Sequence, residues 1–154
     1  MPLFLRLYPK KREVWDAETI FLALDVCDDA RLKLAINLSF ACSMRIGEIL
    51  GLTWDCVDIS PQSIAVGTAS IRIEKELQRV DKTAMKSLEQ KDVLFIFPQS
   101  SKRNTSMLVL KKPKTESSVR KVFIPATVAH QLESWKREQE RTKEALGGEY
   151  TDYN

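Results

Sequence analysis

The sequence predicts an α+β protein, mainly helical with a small antiparallel β-sheet. Up to Asp58 the apolar residues recur at helical spacing, and from Ser70 the pattern turns to alternation. A second pair of strand-like runs, Thr105 to Lys112 and Val119 to Ile124, precedes a last amphipathic helix. The composition agrees with a folded domain. It is 44% hydrophobic and 29% charged, with five glycines and six prolines, which is neither disordered nor fibrous. At 154 residues the chain suits one domain with its own core.

In chain order, Pro9 to Glu13 reads as a linker, so residues 1–15 are expected to be a linker remnant. Asp16 is a natural N-cap for a helix carrying Ile20, Phe21 and Leu24. A second helix should start at Asp28 or Asp29 and run to Cys42. Its later turns are apolar nearly all round, so it is expected at the centre of the core. A short helix from Ile46 to Leu50 should stop at Gly51. Ser70 to Val80 begins as a strand with one wet face. Asp81 to Gln99 looks like an insertion, with a helical stretch at Lys82 to Gln90 and an apolar run at Val93 to Phe97. The polar, turn-rich segment Pro113 to Ser118 predicts a β-hairpin between the two later strands. Val128, Leu132 and Trp135 lie on one face of the final helix, which Gly147-Gly148 should stop. The tail, residues 149–154, has no evident partner.

Charge is unevenly placed. Gln99 to Lys121 holds seven basic residues and one acidic residue, while the whole chain carries a formal +3. A basic stretch within an otherwise mildly acidic body is a candidate phosphate-facing surface. No apolar run reaches the roughly 20 residues of a membrane span, and the first seven residues do not form a secretory leader. A cytoplasmic location is expected. The cysteines Cys27, Cys42 and Cys56 are odd in number, with no C-x-x-C pair, so they are expected to be reduced and mostly buried, with no metal centre.

The sharpest motif runs from Ala41 to Asp55, ACSMRIGEILGLTWD. Arg45 follows an apolar helix directly and opens a short amphipathic one. Glu48, three residues on, shares its face. The carboxylate can hold the guanidinium from behind and leave its planar fork free for an oxyanion. This stretch resembles the first conserved box of the tyrosine recombinases, or phage integrases, written T-G-x-R-x-x-E-L-x-x-L-x-W-x-D-I. Arg45, Glu48, Leu52 and Trp54 match it in register and Asp55 falls one position before its aspartate, with Asp58-Ile59 shortly after. Cys42-Ser43 stands where Thr-Gly is common, a departure in the turn before the arginine.

A second resemblance supports the first. The family places a lysine in a pattern like K-T-x-x-S-x-R-x-I-P-L, and Lys114-Thr115, Ser118, Arg120 and Ile124-Pro125 follow it in order. The resemblance implies a partial recombinase catalytic domain over residues 16–148. DNA would be broken and rejoined through a 3′-phosphotyrosyl intermediate, without cofactor or metal. Arg45 and Lys114 would be catalytic, with Lys114 the general acid and Lys112 its nearest rival, and Glu48 would be supporting. Lys111, Lys112, Arg120 and Lys121 are expected to contact DNA. Other recombinase protomers are expected partners of the full-length protein.

The same resemblance calls for a His-x-x-Arg box and a tyrosine nucleophile that these residues do not supply. His130 is followed three residues on by Glu133, and Tyr150 and Tyr153 come directly after the glycine stop. The chain is therefore expected to be an inactive fragment. The alternative is a non-enzymatic DNA-binding or regulatory module.

Overall fold

A computed structural model describes residues 14–87, 92–99 and 105–153. The expected linker at Pro9 to Glu13, part of the segment 81–99 and Asn154 lie outside the described residues. Three helices open the chain: α1 (Ala17–Val26), α2 (Ala30–Cys42) and α3 (Ile46–Leu50). Asp16 caps α1 by accepting from the Thr19 N–H at 2.9 Å, and Asp29 caps α2 by accepting from Arg31 and Leu32. After a 3-10 turn come β1 (Val57–Asp58), α4 (Pro61–Ala65), β2 (Ser70–Ile73), β3 (Glu76–Asp81) and α5 (Lys82–Ser87). Then follow β4 (Val93–Ile96), β5 (Ser106–Lys111), β6 (Arg120–Phe123) and α6 (Ala126–Leu146). Among the described residues, no helix is long and apolar enough to cross a membrane.

The strands form two three-stranded antiparallel sheets where one was expected. The first has the order β1-β2-β6, the second β3-β5-β4. The expected hairpin between Thr105 and Ile124 does not form. β5 pairs with β3 and β4, β6 pairs with β2, and residues 112–119 cross from one sheet to the other. The alternating run at Ser70 to Val80 is likewise two strands, broken at Glu74-Lys75, one in each sheet. The described strands between β2 and β6 therefore build the second sheet, a larger unit than Asp81 to Gln99. Local alternation marks strands but carries no information about their partners.

The core lies between the first sheet and helices α2 and α6. Leu34, Leu38 and Cys42, four residues apart, form one stripe of α2 against Ile71 and Ile73 of β2 and Val128 and Leu132 of α6. Only that stripe is buried. Leu32 and Phe40 stay about half exposed, so α2 flanks the core instead of running through it. Cys42 and Cys56 are buried and Cys27 partly so, all as free thiols.

Two glycines bring α3 against the second sheet. A Cβ on Gly51 would stand 2.6 Å from the Leu77 nitrogen, and one on Gly47 would stand 3.0 Å from the Leu77 oxygen. Gly51 has φ −95°, open to any residue, so it is needed for this close approach and not for a left-handed stop. The tail finds partners as well. Tyr153 packs on Phe95 and Phe97 at ring distances of 5.8 and 5.1 Å, and Asp152 accepts from Lys143 at 2.6 Å.

Candidate functional site

Arg45 owes its position to the turn that ends α2. Ser43 takes left-handed angles, φ 52° and ψ 35°, and its N–H returns to the Leu38 carbonyl. Met44 is buried beside the core, and the chain re-enters helix at Arg45. The Glu48 carboxylate accepts the Arg45 backbone N–H at 2.9 Å and one side-chain N–H at 3.2 Å. Glu48 is only 3% exposed, whereas the Arg45 side chain is 73% exposed. A buried carboxylate thus holds the base of a guanidinium whose remaining donors face outward.

The stronger partner of Glu48 is Arg120. The two meet as forks, Nη1 on Oε1 and Nη2 on Oε2, both at 2.9 Å. Arg120 Nη2 also donates to the Ser43 carbonyl, and Nη1 to the Ser118 carbonyl, each at 3.3 Å. The Arg120 hydrogen bonds hold the Glu48 carboxyl below its usual range, with smaller help from Arg45, while burial opposes them. Arg120 is raised in turn. Strand geometry explains the meeting. Arg120 stands opposite Ile73 and Val122 opposite Ile71, so both point to the helix side of the sheet.

The remaining expected contacts divide by location. Lys114 and Lys112 are exposed on the crossover and share an open groove of about 640 Å³ with Lys75, Asp92 and Glu116. The Lys112 N–H donates to the Asp92 carbonyl at 2.9 Å. Ser117 and Ser118 hydroxyls stand within 3.0 and 2.9 Å of the Thr115 hydroxyl, tightening the loop directly after Lys114. Lys111 lies within β5, only 23% exposed and paired with Glu76 at 3.5 Å. Lys121 is exposed on the opposite face of the first sheet from Arg120, beside Arg72 and over the Phe123 ring at 5.2 Å. Arg120 itself is turned inward to Glu48.

Lys75 was not singled out from sequence. It stands between the two sheets, 19% exposed, and donates to both Asp55 oxygens at 2.9 and 2.6 Å and to the Thr53 hydroxyl at 2.8 Å. Burial alone would lower its pKa, yet the Asp55 hydrogen bond and nearby negative charge raise it. Asp55, Cys56 and Glu74 bring three ligand-type atoms within 4.8 Å of one another. The carboxylates there are paired with Lys75 and Arg72, and burial pushes the Cys56 thiol up, away from the thiolate a metal needs.

His130 is a surface residue, 2.9 Å from Glu133 on the same helix. Tyr150 and Tyr153 line a groove with Leu50, Trp54 and Phe97, and neither Arg45 nor Lys114 borders it.

A family model described as the phage integrase family matches residues 13–145. No curated protein and no solved structure matches the chain.

Proposed function

Because the chain belongs to the phage integrase family, whose members carry out site-specific recombination, we propose that it holds the first half of a DNA strand-transfer site. In this reading Arg45 binds a non-bridging oxygen of the scissile phosphate and stabilises the charge that builds there. The observation that carries it is the Arg45–Glu48 pair, an exposed guanidinium anchored on a buried carboxylate. Cleavage expels a 5′-alkoxide that needs a proton, and Lys114, exposed on the crossover, supplies it as general acid. Lys112 and Lys114 lie against the DNA backbone, with Lys121 as a contact from the other sheet face. Arg120 acts from inside through Glu48, and Lys111 contributes to the sheet.

The tyrosine, the second arginine and the histidine of the reaction come from outside these residues, so the chain alone binds duplex DNA without cutting it. Residues 16–148 form the amino-terminal part of the catalytic domain, with residues 1–15 a linker. It works in the cytoplasm beside other protomers on the DNA.

The chain alone, given a nicked duplex that traps a covalent intermediate, forms no denaturant-resistant adduct. An adduct through Tyr150 or Tyr153 would overturn the reading. In a polypeptide that joins this chain to the family's His-x-x-Arg box and tyrosine, Arg45→Ala and Arg45→Lys both abolish cleavage. Lys114→Ala is slow on ordinary DNA and recovers when the leaving 5′-oxygen is replaced by sulfur, which departs without a proton. Recovery of Lys112→Ala instead would move the acid two residues upstream.

A further inference from the structure

We infer that Arg120 is a positioning residue that couples the two halves of the site, fixing the Arg45 guanidinium and the Lys114 loop relative to each other. The inference rests on the roles proposed above for Arg45 and Lys114. It replaces the expected part of Arg120 as a DNA contact.

Four acceptor oxygens converge on one guanidinium. Arg120 grips both oxygens of Glu48, which is 3% exposed and itself holds Arg45 by backbone and side chain. It also bonds the Ser43 carbonyl, in the left-handed turn that aims Arg45. Its fourth partner is the Ser118 carbonyl, and the Ser118 hydroxyl stands 2.9 Å from that of Thr115, the residue after Lys114. An unbroken series of bonds therefore runs from Arg45 through Glu48, Arg120 and Ser118 to Thr115. Arg45 lies at the start of α3 and Lys114 on the crossover, and this series joins them without direct contact between the two.

The chemistry favours an arginine here. A lysine could pair with Glu48 as a point charge, but only a planar fork can hold a carboxylate bidentately and reach two carbonyls besides. Phosphoryl chemistry depends on groups held in fixed relation, and small displacements cost large factors in rate. The sheet supplies the rigidity, since Arg120 stands opposite Ile73, which is buried at 2% exposure.

The test uses the whole chain with Arg120→Lys, which keeps the charge, and Arg120→Gln, which removes it. Arg137→Gln, on the exposed part of α6, is the control. Folding is checked by circular dichroism. Amide spectra then read the coupling without DNA: in both variants the resonances of residues 43–48 and of 114–119 shift together, while the control moves neither. Shifts confined to 118–121 would overturn the inference.

A second arm measures affinity for a generic duplex at low salt in single and double variants. Arg120→Lys weakens binding about fivefold, less than the loss of a charge-assisted contact would. The double variant with Arg45→Ala is no weaker than Arg45→Ala alone. Additive losses would mean that Arg120 touches DNA itself, and the inference fails. If Arg45→Ala leaves binding unchanged while the two amide groups still move together, the coupling stands and the phosphate role of Arg45 fails.

Discussion

Glu48 and Arg120 lie 72 positions apart in the chain and meet fork to fork, with both nitrogen–oxygen distances at 2.9 Å. One partner lies in the short third helix and the other opens the last strand of the first sheet. The pair therefore fastens the arginine turn to the sheet, and its removal should be felt as stability before it is felt as chemistry.

Glu48→Gln keeps the shape of the side chain but removes one charge-accepting oxygen from Arg120 and weakens the cap on Arg45. The expected loss is about 2 kcal/mol, below the value for a fully buried pair because Arg120 is 33% exposed. Urea denaturation of the variant against the parent chain measures it, and a loss under about 0.5 kcal/mol would contradict the pairing.

The same carboxylate gives a pH dependence of known sign. Its folded pKa is held down, chiefly by Arg120, so its contribution is complete above the unfolded glutamate value of about 4.3. It is lost as pH falls through the lower folded value. Stability should drop on acidification below about pH 4.3, and more steeply in the parent than in Glu48→Gln. Parallel acid limbs in the two proteins would show that Glu48 carries no such linkage. Asp55 is also held low by Lys75, so only the difference between the two proteins isolates Glu48.

Ser43 sits at φ 52°, where a Cβ is unfavourable. The family box that this turn resembles commonly has glycine there. Ser43→Gly should raise stability by roughly 0.5 kcal/mol, relief of left-handed strain exceeding the added freedom of the unfolded chain. A lowered melting temperature would show that the serine is held by contacts that outweigh its strain.

Gly51 is predicted to tolerate nothing larger. Gly51→Ala places its methyl against the backbone of Glu76 and Leu77, both of which belong to β3 and cannot swing aside. The cost is about 1–3 kcal/mol or a displaced second sheet. Gly148→Ala, which meets nothing within 4 Å, should stay within about 0.5 kcal/mol. Chemical denaturation of both variants decides the comparison.

The two adjacent lysines Lys111 and Lys112 should differ in DNA binding. Lys111 is paired with Glu76 inside the second sheet, whereas Lys112 is exposed on the crossover. Lys112→Ala should weaken duplex binding about equally for unrelated sequences and lower the salt slope by about 0.9. Lys111→Ala should change stability and leave the slope alone. Titrations at several salt concentrations test both, and equal slopes for the two variants would reject the distinction.

Much of this organisation was legible in the sequence because it is local. The N-caps Asp16 and Asp29, the stop after Leu146 and the placement of Arg45 between α2 and α3 all follow from residues within a few positions of one another. Strand partnership is not local. Thr105 to Ile124 reads as a hairpin because its turn chemistry is right, yet β5 and β6 find their partners in different sheets. Arg120 matches the family pattern and was expected to contact DNA. Its alternation with Val122, facing the same side as Ile71 and Ile73, was the available sign that it points inward. Lys75 left no such sign, because its partners Thr53 and Asp55 are set by the break between β2 and β3.

The crossing of the chain between sheets also orders its assembly. β2 and β6 are neighbours, yet residues 74–119 intervene, so closing the first sheet means closing a long loop. The loop contains a sheet of its own whose strands are much nearer in sequence. If that sheet condenses first, its two ends are already brought close and the entropy of closure falls. Substitutions in β3 or β5 should then slow refolding of the first sheet, whereas changes in α6 should mainly speed unfolding. On that order the arginine clamp is completed only at the final closure, and the candidate site would be among the last parts of the molecule to form.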